Sequence, residues 1–369
     1  MTQTGPTPEE IAADHARRVA MTISCRDTDR LPKVEGAGEV LTLDDGSRVQ
    51  RMHNGLLVLE GGYLGTWTTE IITGLQGHHE PQEEVAFADV LERVAEQEDE
   101  PVIVELGCYW SYYSMWFQQR TGGRSVGMEP DPAYLEVGRR NMAINGMDAT
   151  FVTGAIGGEA GTEASFEAES TGETVTVPVY TLESLMDETG VARASVVLAD
   201  IQGFERDLLD SIDGLVRAGR IRFMVISTHH RMISGRATTH QEALARIDEL
   251  GGHVLAEHTV GESYSGDGLV VVSFDDRDRG ATIAMSHARY KESYFGEVEP
   301  DLQRVLDELE ATREHQRATE DLSRQRHALI EDLQVRLAAA EAELDRTSEQ
   351  LAARERGLVG RVAQRLRSR

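Results

Sequence analysis

PVIVELGCYWSYYSMWFQQRTGGRSVGMEPDPAYLEVGRRNMAIN, residues 101–145, decides the fold. Its apolar run Val102-Ile103-Val104 is rich in β-branched residues and leads at once to a carboxylate, Glu105, and a glycine, Gly107. A helical segment around Met115–Gln119 follows, then a second strand, Ser125–Met128, that ends on Glu129. Asp131-Pro132 reads as an N-cap with proline at the first helical position, and Asn145-Gly146 as that helix's stop. Strand, tight turn, helix, strand and acid make a βαβ unit. Units of this kind bind nucleotides at the carboxyl ends of their strands.

The turn has a specific chemistry. Gly107 lets backbone approach a ligand, and the following helix start offers unpaired N–H groups to an anionic group. Glu129 stands where an acid accepts hydrogen bonds from both ribose hydroxyls. The usual glycine triplet is missing, because Tyr109 and Ser111 occupy the next expected positions. A dinucleotide pyrophosphate needs bare backbone there, which disfavours NAD and FAD. A nucleoside with a short zwitterionic tail, S-adenosylmethionine, fits better. The competing reading is a buried strand and turn with no ligand.

Four motifs, in order over about residues 80–275, carry a resemblance. Glu105-Leu106-Gly107-Cys108-Tyr109-Trp110-Ser111-Tyr112-Tyr113-Ser114 resembles the first motif of the FkbM-type methyltransferases. Met128-Glu129-Pro130, Thr181-Leu182-Glu183-Ser184-Leu185 and Asp200-Ile201-Gln202-Gly203-Phe204-Glu205 resemble three later ones. The resemblance implies an α/β fold: a class I methyltransferase Rossmann-like doubly wound sheet with an antiparallel last strand. It implies an S-adenosylmethionine-dependent O-methyltransferase. Ser111 stands where the family has glycine, and Gln202 where it has an acid.

Outside this core, residues 1–76 read as a helix over Pro8–Met21 and a β-meander, Val40–Leu43, Val49–Met52 and Leu56–Leu59. Asp45-Gly46 and Asn54-Gly55 supply the hairpin turns. The meander is either a wall over substrate or a structural appendage. Residues 77–296 form the expected catalytic domain. Its opening, Gly77-His78-His79-Glu80-Pro81-Gln82-Glu83, invites a metal reading. Adjacent histidines point apart, however, so Pro81 more simply opens a helix whose N-terminus Glu80, Glu83 and Glu84 favour.

Later strands supply the candidate chemistry. Thr150–Thr153 leads to Gly154-Ala155, expected against adenine. Residues 159–173 form a hairpin that returns along Val175–Tyr180. Ser195–Asp200 and Arg220–Ser227 are buried strands, the first ending on Asp200 and the second leading into Thr228-His229-His230. Strand alternation points one of the two histidines into the cleft, His230 by preference and His229 second, as a general base for a hydroxyl. Asp200 orients that histidine or holds a divalent ion. Glu257 and His258 are further candidates. The cofactor contacts are Glu105, Gly107, Tyr109, Ser111, Glu129, Gly154 and Ala155. A strand-end hydrogen-bonding role for the paired histidines is the alternative.

Residues 297–358 carry 3-4 spacing through Leu302, Val305, Leu309, then a polar middle, then Ile330, Leu333, Leu337, Leu344, Leu351 and Leu358. This reads as a coiled coil, with a solitary charged helix as the alternative. In residues 354–369, six arginines accompany one acid, so residues 359–369 form a basic amphipathic tail for an anionic membrane, or a solvated end.

The net charge of −27 disfavours nucleic acid as a partner. No apolar run reaches the length of a membrane span, and the start has no apolar leader core. With Cys25 and Cys108 the only cysteines, the expected location is cytoplasmic, peripheral at the inner membrane face if the tail binds. The expected partners are a sugar, surface-glycan or metabolite acceptor and a second copy of the chain. The rival functions are a catalytically degenerate cofactor-binding domain on a coiled-coil scaffold and a nicotinamide oxidoreductase.

Overall fold

The computed structural model describes residues 7–288 and 298–367. The chain divides into two compact units, Met1–Val298 and Glu299–Arg369. It opens with α1 (Pro8–Thr22), where Thr7 and Glu10 form a reciprocal capping box. Strands β1 (Val40–Thr42), β2 (Arg48–Arg51) and β3 (Leu57–Leu59) form the expected antiparallel meander. Next comes α2 (Thr66–Gly74), which the sequence reading passes over. Its N-cap is Gly65, without a side-chain cap, and its threonines and isoleucines mimic a strand.

The first unit continues with α3 (Pro81–Gln97), β4 (Val102–Leu106), α4 (Tyr112–Thr121), β5 (Arg124–Glu129), α5 (Pro132–Ile144) and β6 (Thr150–Thr153). A second small sheet holds β7 (Ala155–Ile156), β8 (Glu163–Glu167) and β9 (Thr174–Tyr180), and its β8–β9 hairpin is the expected one. Then follow α6 (Leu182–Glu188), β10 (Ala194–Ala199), α7 (Glu205–Ser211), α8 (Asp213–Arg217), β11 (Ile221–Thr228), α9 (Arg231–Ser234), α10 (Thr239–Glu249), β12 (His253–His258) and β13 (Gly268–Ser273).

The central sheet runs β12-β13-β11-β10-β4-β5-β6. Strands β6, β5, β4, β10 and β11 are mutually parallel, whereas β13 is antiparallel to both β11 and β12. This is the doubly wound α/β sheet with an antiparallel last strand. Its inner strands are buried on both faces, so alternate residues feed two cores. Ile103, Val196, Leu198, Phe223 and Val225 pack with α3 and α4. Val104, Val197, Ala199, Met224 and Ile226 pack with α6, α7 and α10.

At the amino end of β11 the fully buried Arg222 ties α3 to the sheet. It pairs with Glu98 at 2.9 Å and Asp278 at 3.0 Å, and donates to Gln97 Oε1 at 2.6 Å. The candidate site residues lie at the opposite, carboxyl ends of the parallel strands. The second unit is one helix, α11 (Val298–Arg367), 70 residues long, or about 105 Å at the usual rise. Among the described residues, no helix is long and apolar enough to cross a membrane.

Candidate active site

The site starts at the turn after β4. The N–H groups of Gly107 and Cys108 both donate to Met128 O of β5, at 2.9 and 3.0 Å. Gly107 has φ +76°, and a Cβ there would lie 1.9 Å from Asp200 O, so only glycine fits between β4 and β10. Tyr109 (φ +34°) and Ser111 (φ +60°) also take left-handed backbone, although neither is glycine. The loop therefore keeps the curl of a glycine-rich turn, at a steric cost. Helix α5 presses on it through Gly138, where a Cβ would meet Ser111 Oγ at 2.5 Å and Tyr109 O at 2.7 Å.

Two buried acids bracket this turn. Glu105 accepts from Ser114 N at 3.0 Å in the first turn of α4. Burial pushes its carboxyl up to about 8 against that hydrogen bond, and the charges of Asp200 and Glu129 push the same way. Glu129 accepts from Tyr109 N at 3.2 Å and Asp131 N at 2.9 Å. Burial raises it to about 7 despite those two bonds. Tyr109 turns its ring flat onto Tyr134 of α5, with centroids 3.7 Å apart. Gly154 N donates to Glu129 O at 3.3 Å, and a Cβ at Gly154 would strike the Tyr180 ring at 2.8 Å. Ala155 lies in β7, paired with Val179. The contacts of this turn with Glu105, Glu129 and α5 bring Glu105, Gly107, Tyr109, Ser111 and Glu129 together, with Gly154 bonded to Glu129 and Ala155 next to it.

The carboxyl ends of β10 and β11 supply the second half. Asp200 N donates to Leu106 O at 3.0 Å, which places Asp200 beside the turn. His229 is buried, with Nε2 3.0 Å from Asp200 Oδ1 and Nδ1 2.6 Å from Glu205 Oε1. Asp267 stands 3.9 Å from the same Nε2. Burial opposes a charge on His229, but the bonds to Asp200 and Glu205 outweigh it and hold the ring well above the usual imidazole range. Asp267 is pushed up to about 7, by burial first and then by Asp200 and Glu80, against the attraction of His229.

The preference for His230 is corrected here. Strand β11 runs through Thr228, so His229 is the residue that turns inward. His230 instead caps α9, accepting from Met232 N at 3.4 Å. Glu257 and His258 are not brought to this cluster: Glu257 pairs with His240 at 3.0 Å, and His258 Nδ1 faces Thr259 O at 3.1 Å. Gln202 is exposed with φ +48° and takes no part. Glu205 closes the Asp200–Glu205 motif at the start of α7, and Asp267 lies in the loop before β13; no catalytic pattern in the sequence marks either.

Helix α3 opens at Pro81 as expected, and Glu83 and Glu84 of its first turn are buried. Glu83 is buried and accepts from Ser227 Oγ at 3.0 Å, and burial with the charges of Glu80 and Asp200 holds it well above the carboxylate range. Glu80 accepts from Tyr113 OH at 3.2 Å and Tyr63 OH at 3.4 Å. His79 lies between Glu84 at 2.6 Å and Glu80 at 3.2 Å, and their charges, working against burial, raise it to about 10. Tyr63, from the loop after β3, stacks on Trp110 with centroids 4.7 Å apart. No sequence motif marks Tyr63.

Among solved structures, the METTL16 methyltransferase domain aligns with 62% of this chain and 87% of its own at 12% identity and TM-score 0.39. TrmK of M. capricolum, in complex with S-adenosyl-homocysteine, aligns with 50% of this chain and 67% of its own at 10% identity and TM-score 0.33. The magnesium protoporphyrin IX methyltransferase of Synechocystis PCC 6803, with bound SAM, covers 52% and 78% at 10% identity and TM-score 0.33. No curated protein matches the chain. The methyltransferase FkbM domain matches residues 58–254, more than half of the 369 residues. The match covers the turn, Glu129 and the Asp200–His229–Glu205 cluster, and the chain belongs to the FkbM methyltransferase family.

Proposed function

We propose that the protein is an S-adenosylmethionine-dependent O-methyltransferase acting on a hydroxyl of a sugar, surface glycan or secondary metabolite. The observation that carries this reading is the Asp200–His229–Glu205 chain beside the Gly107 turn. The crevice suits the cofactor: bare backbone at Gly107, and at Glu129 a carboxylate with lone pairs beyond those used by Tyr109 and Asp131. Glu129 would hold the ribose, Gly107 would pass close to the ligand's tail, and Gly154 would border the base. When bound, the cofactor supplies a sulfonium methyl as the electrophile.

The chain's own work is to place the acceptor and remove its proton. His229 already binds a proton tightly between two carboxylates, which makes it a poor base and a good anchor. Glu205 fixes its Nδ1, and Nε2 orients Asp200. Asp200 is partly exposed, with a side chain 38% accessible, so its carboxylate is the member that takes the hydroxyl proton. Asp200 acts as the base in this reading, and His229 as its positioning residue. The acidic side chains of Glu80, Glu83, Asp200 and Asp267 suit a neutral, hydroxyl-rich acceptor better than an anionic one. Beyond the family domain, α11 would pair with a second copy and the arginine-rich end would rest on anionic lipid.

Calorimetric titration with S-adenosylmethionine, followed by incubation with the labelled cofactor and a host glycan extract, tests the reading. Asp200→Asn and His229→Ala should each bind the cofactor and lose about 10²–10⁴ in rate. Glu129→Ala should weaken cofactor binding by about 1–3 kcal/mol. Cofactor binding with no turnover on any extract would favour a degenerate domain, and absence of binding would overturn the proposal.

A further inference from the structure

Away from the crevice, His53 and His78 lie face to face beneath α4. They are 4% and 0% exposed, and their ring centroids are 4.0 Å apart at 19°. His53 follows β2, whereas His78 precedes α3, so 24 intervening residues separate them in the chain. Each ring has its Nδ1 engaged. His53 Nδ1 lies 3.1 Å from Pro32 O, which can only accept, so that nitrogen carries the proton. His78 Nδ1 bonds Glu84, whose carboxylate also accepts from His79 N at 2.7 Å. Both Nε2 atoms are buried and have no hydrogen-bond partner.

Two buried ring nitrogens without partners are a cost unless something binds them. The arrangement is the one that metal-binding histidines use: Nδ1–H donated to a carbonyl or carboxylate, Nε2 left as the lone pair. One nitrogen of each ring and a Glu84 oxygen lie within 4.8 Å of one another. A cavity of about 760 Å³ borders His53 on one side and is lined also by Lys33, Asn54, Val85 and Trp116.

We propose that His53 and His78 bind a transition-metal cation of the zinc type through their Nε2 atoms, with Glu84 as the carboxylate that orients His78. Imidazole nitrogen favours zinc, copper, nickel and cobalt over magnesium or calcium. Each lone pair lies in the plane of its ring, and the two planes are stacked 19° from parallel, so binding one cation must turn one ring out of the stack. That movement reaches Trp116, whose ring meets His53 edge-on at 4.6 Å. The site is independent of the methyl-transfer reading.

The test uses the full chain stripped of metal. Zn²⁺ calorimetry should show one saturable equivalent, and Co²⁺ should give visible absorption and change Trp116 fluorescence, a change absent in Trp116→Phe. His53→Ala and His78→Ala should each weaken binding at least about 100-fold, Glu84→Gln by about 10–100-fold, and His287→Ala not at all. If an alanine variant does not fold, imidazole nitrogen resonances of the wild-type protein decide: Zn²⁺ should move those of His53 and His78. No saturable binding, undiminished binding by His78→Ala, or resonance shifts confined to His229 would overturn the proposal.

Discussion

Ser111 shows how a single residue bears the cost of the turn. It holds φ +60° at the position where the family carries glycine. Left-handed backbone costs a side-chain residue about 1–2 kcal/mol, and glycine returns up to about 1 kcal/mol of that through the entropy of the unfolded chain. Ser111→Gly should therefore stabilise the protein by about 1 kcal/mol in urea unfolding, and a destabilised variant would show that the serine is not strained. Glu105 makes a second case. Its carboxyl is raised in the folded state, to about 8, so folding favours the protonated form. That contribution is full below the unfolded value near 4.5 and is lost as pH rises towards 8. Glu129 and Asp267, both near 7, act in the same direction. The ligand-free protein should lose stability between about pH 5 and about pH 8. Glu105→Gln should flatten that fall, and an unchanged slope in unfolding at both pH values would remove Glu105 as a cause.

Between elements, the strongest polar tie is the one from β11 to α3. Arg222 is fully buried, and its guanidinium is spread over Asp278, Glu98 and Gln97. Ser273 Oγ also donates to Asp278 at 2.8 Å, so the last strand joins the same network. Truncating Arg222 would leave Asp278 buried and unpaired, a change that typically costs about 3–5 kcal/mol. Arg222→Ala should show that loss in chemical denaturation, whereas Arg279→Ala, whose exposed pair with Asp276 sits on the surface, should lose less than about 1 kcal/mol. Equal losses from the two substitutions would mean the buried network contributes no more than a surface pair.

For the whole molecule, the open question is what covers α11. Leu309, Ile330, Leu333, Leu337, Leu344 and Leu351 are all more than 40% exposed along it. A helix with that seam buries it best against a copy of itself. Sedimentation should find an oligomer for the full chain and a monomer for a chain ending near residue 300, and a monomeric full chain would remove the coiled-coil proposal. Flotation with anionic liposomes should retain the full chain and lose it when Arg361, Arg365, Arg367 and Arg369 become Glu. Failure to float would remove the membrane contact and leave the catalytic reading untouched.

Much of this fold is local chemistry written along the chain. The β-branched run before Glu105, the glycine at 107, the Asp131-Pro132 cap and the Asn145-Gly146 stop each act within a few residues, and each stands in the structure where the sequence places it. So do the two hairpin turns of the meander, and a helix spans the residues of 3-4 spacing. The choice between His229 and His230 was beyond that reach, because it depends on where β11 stops and on which face the next residue meets. Likewise, the sequence places the acids opening α3 at a helix N-terminus, and only packing against β11 and the His78-His79 pair turns Glu83 and Glu84 inward. Asp200 and His229 come from the ends of β10 and β11, Glu205 from the start of α7 and Asp267 from a loop, and sheet order brings them together. His53 meets His78 because the meander folds back beneath α4. Periodicity and capping report which way a side chain faces its own element. They carry no information about what the rest of the chain brings opposite, and at this site the opposing groups decide charge, burial and chemistry.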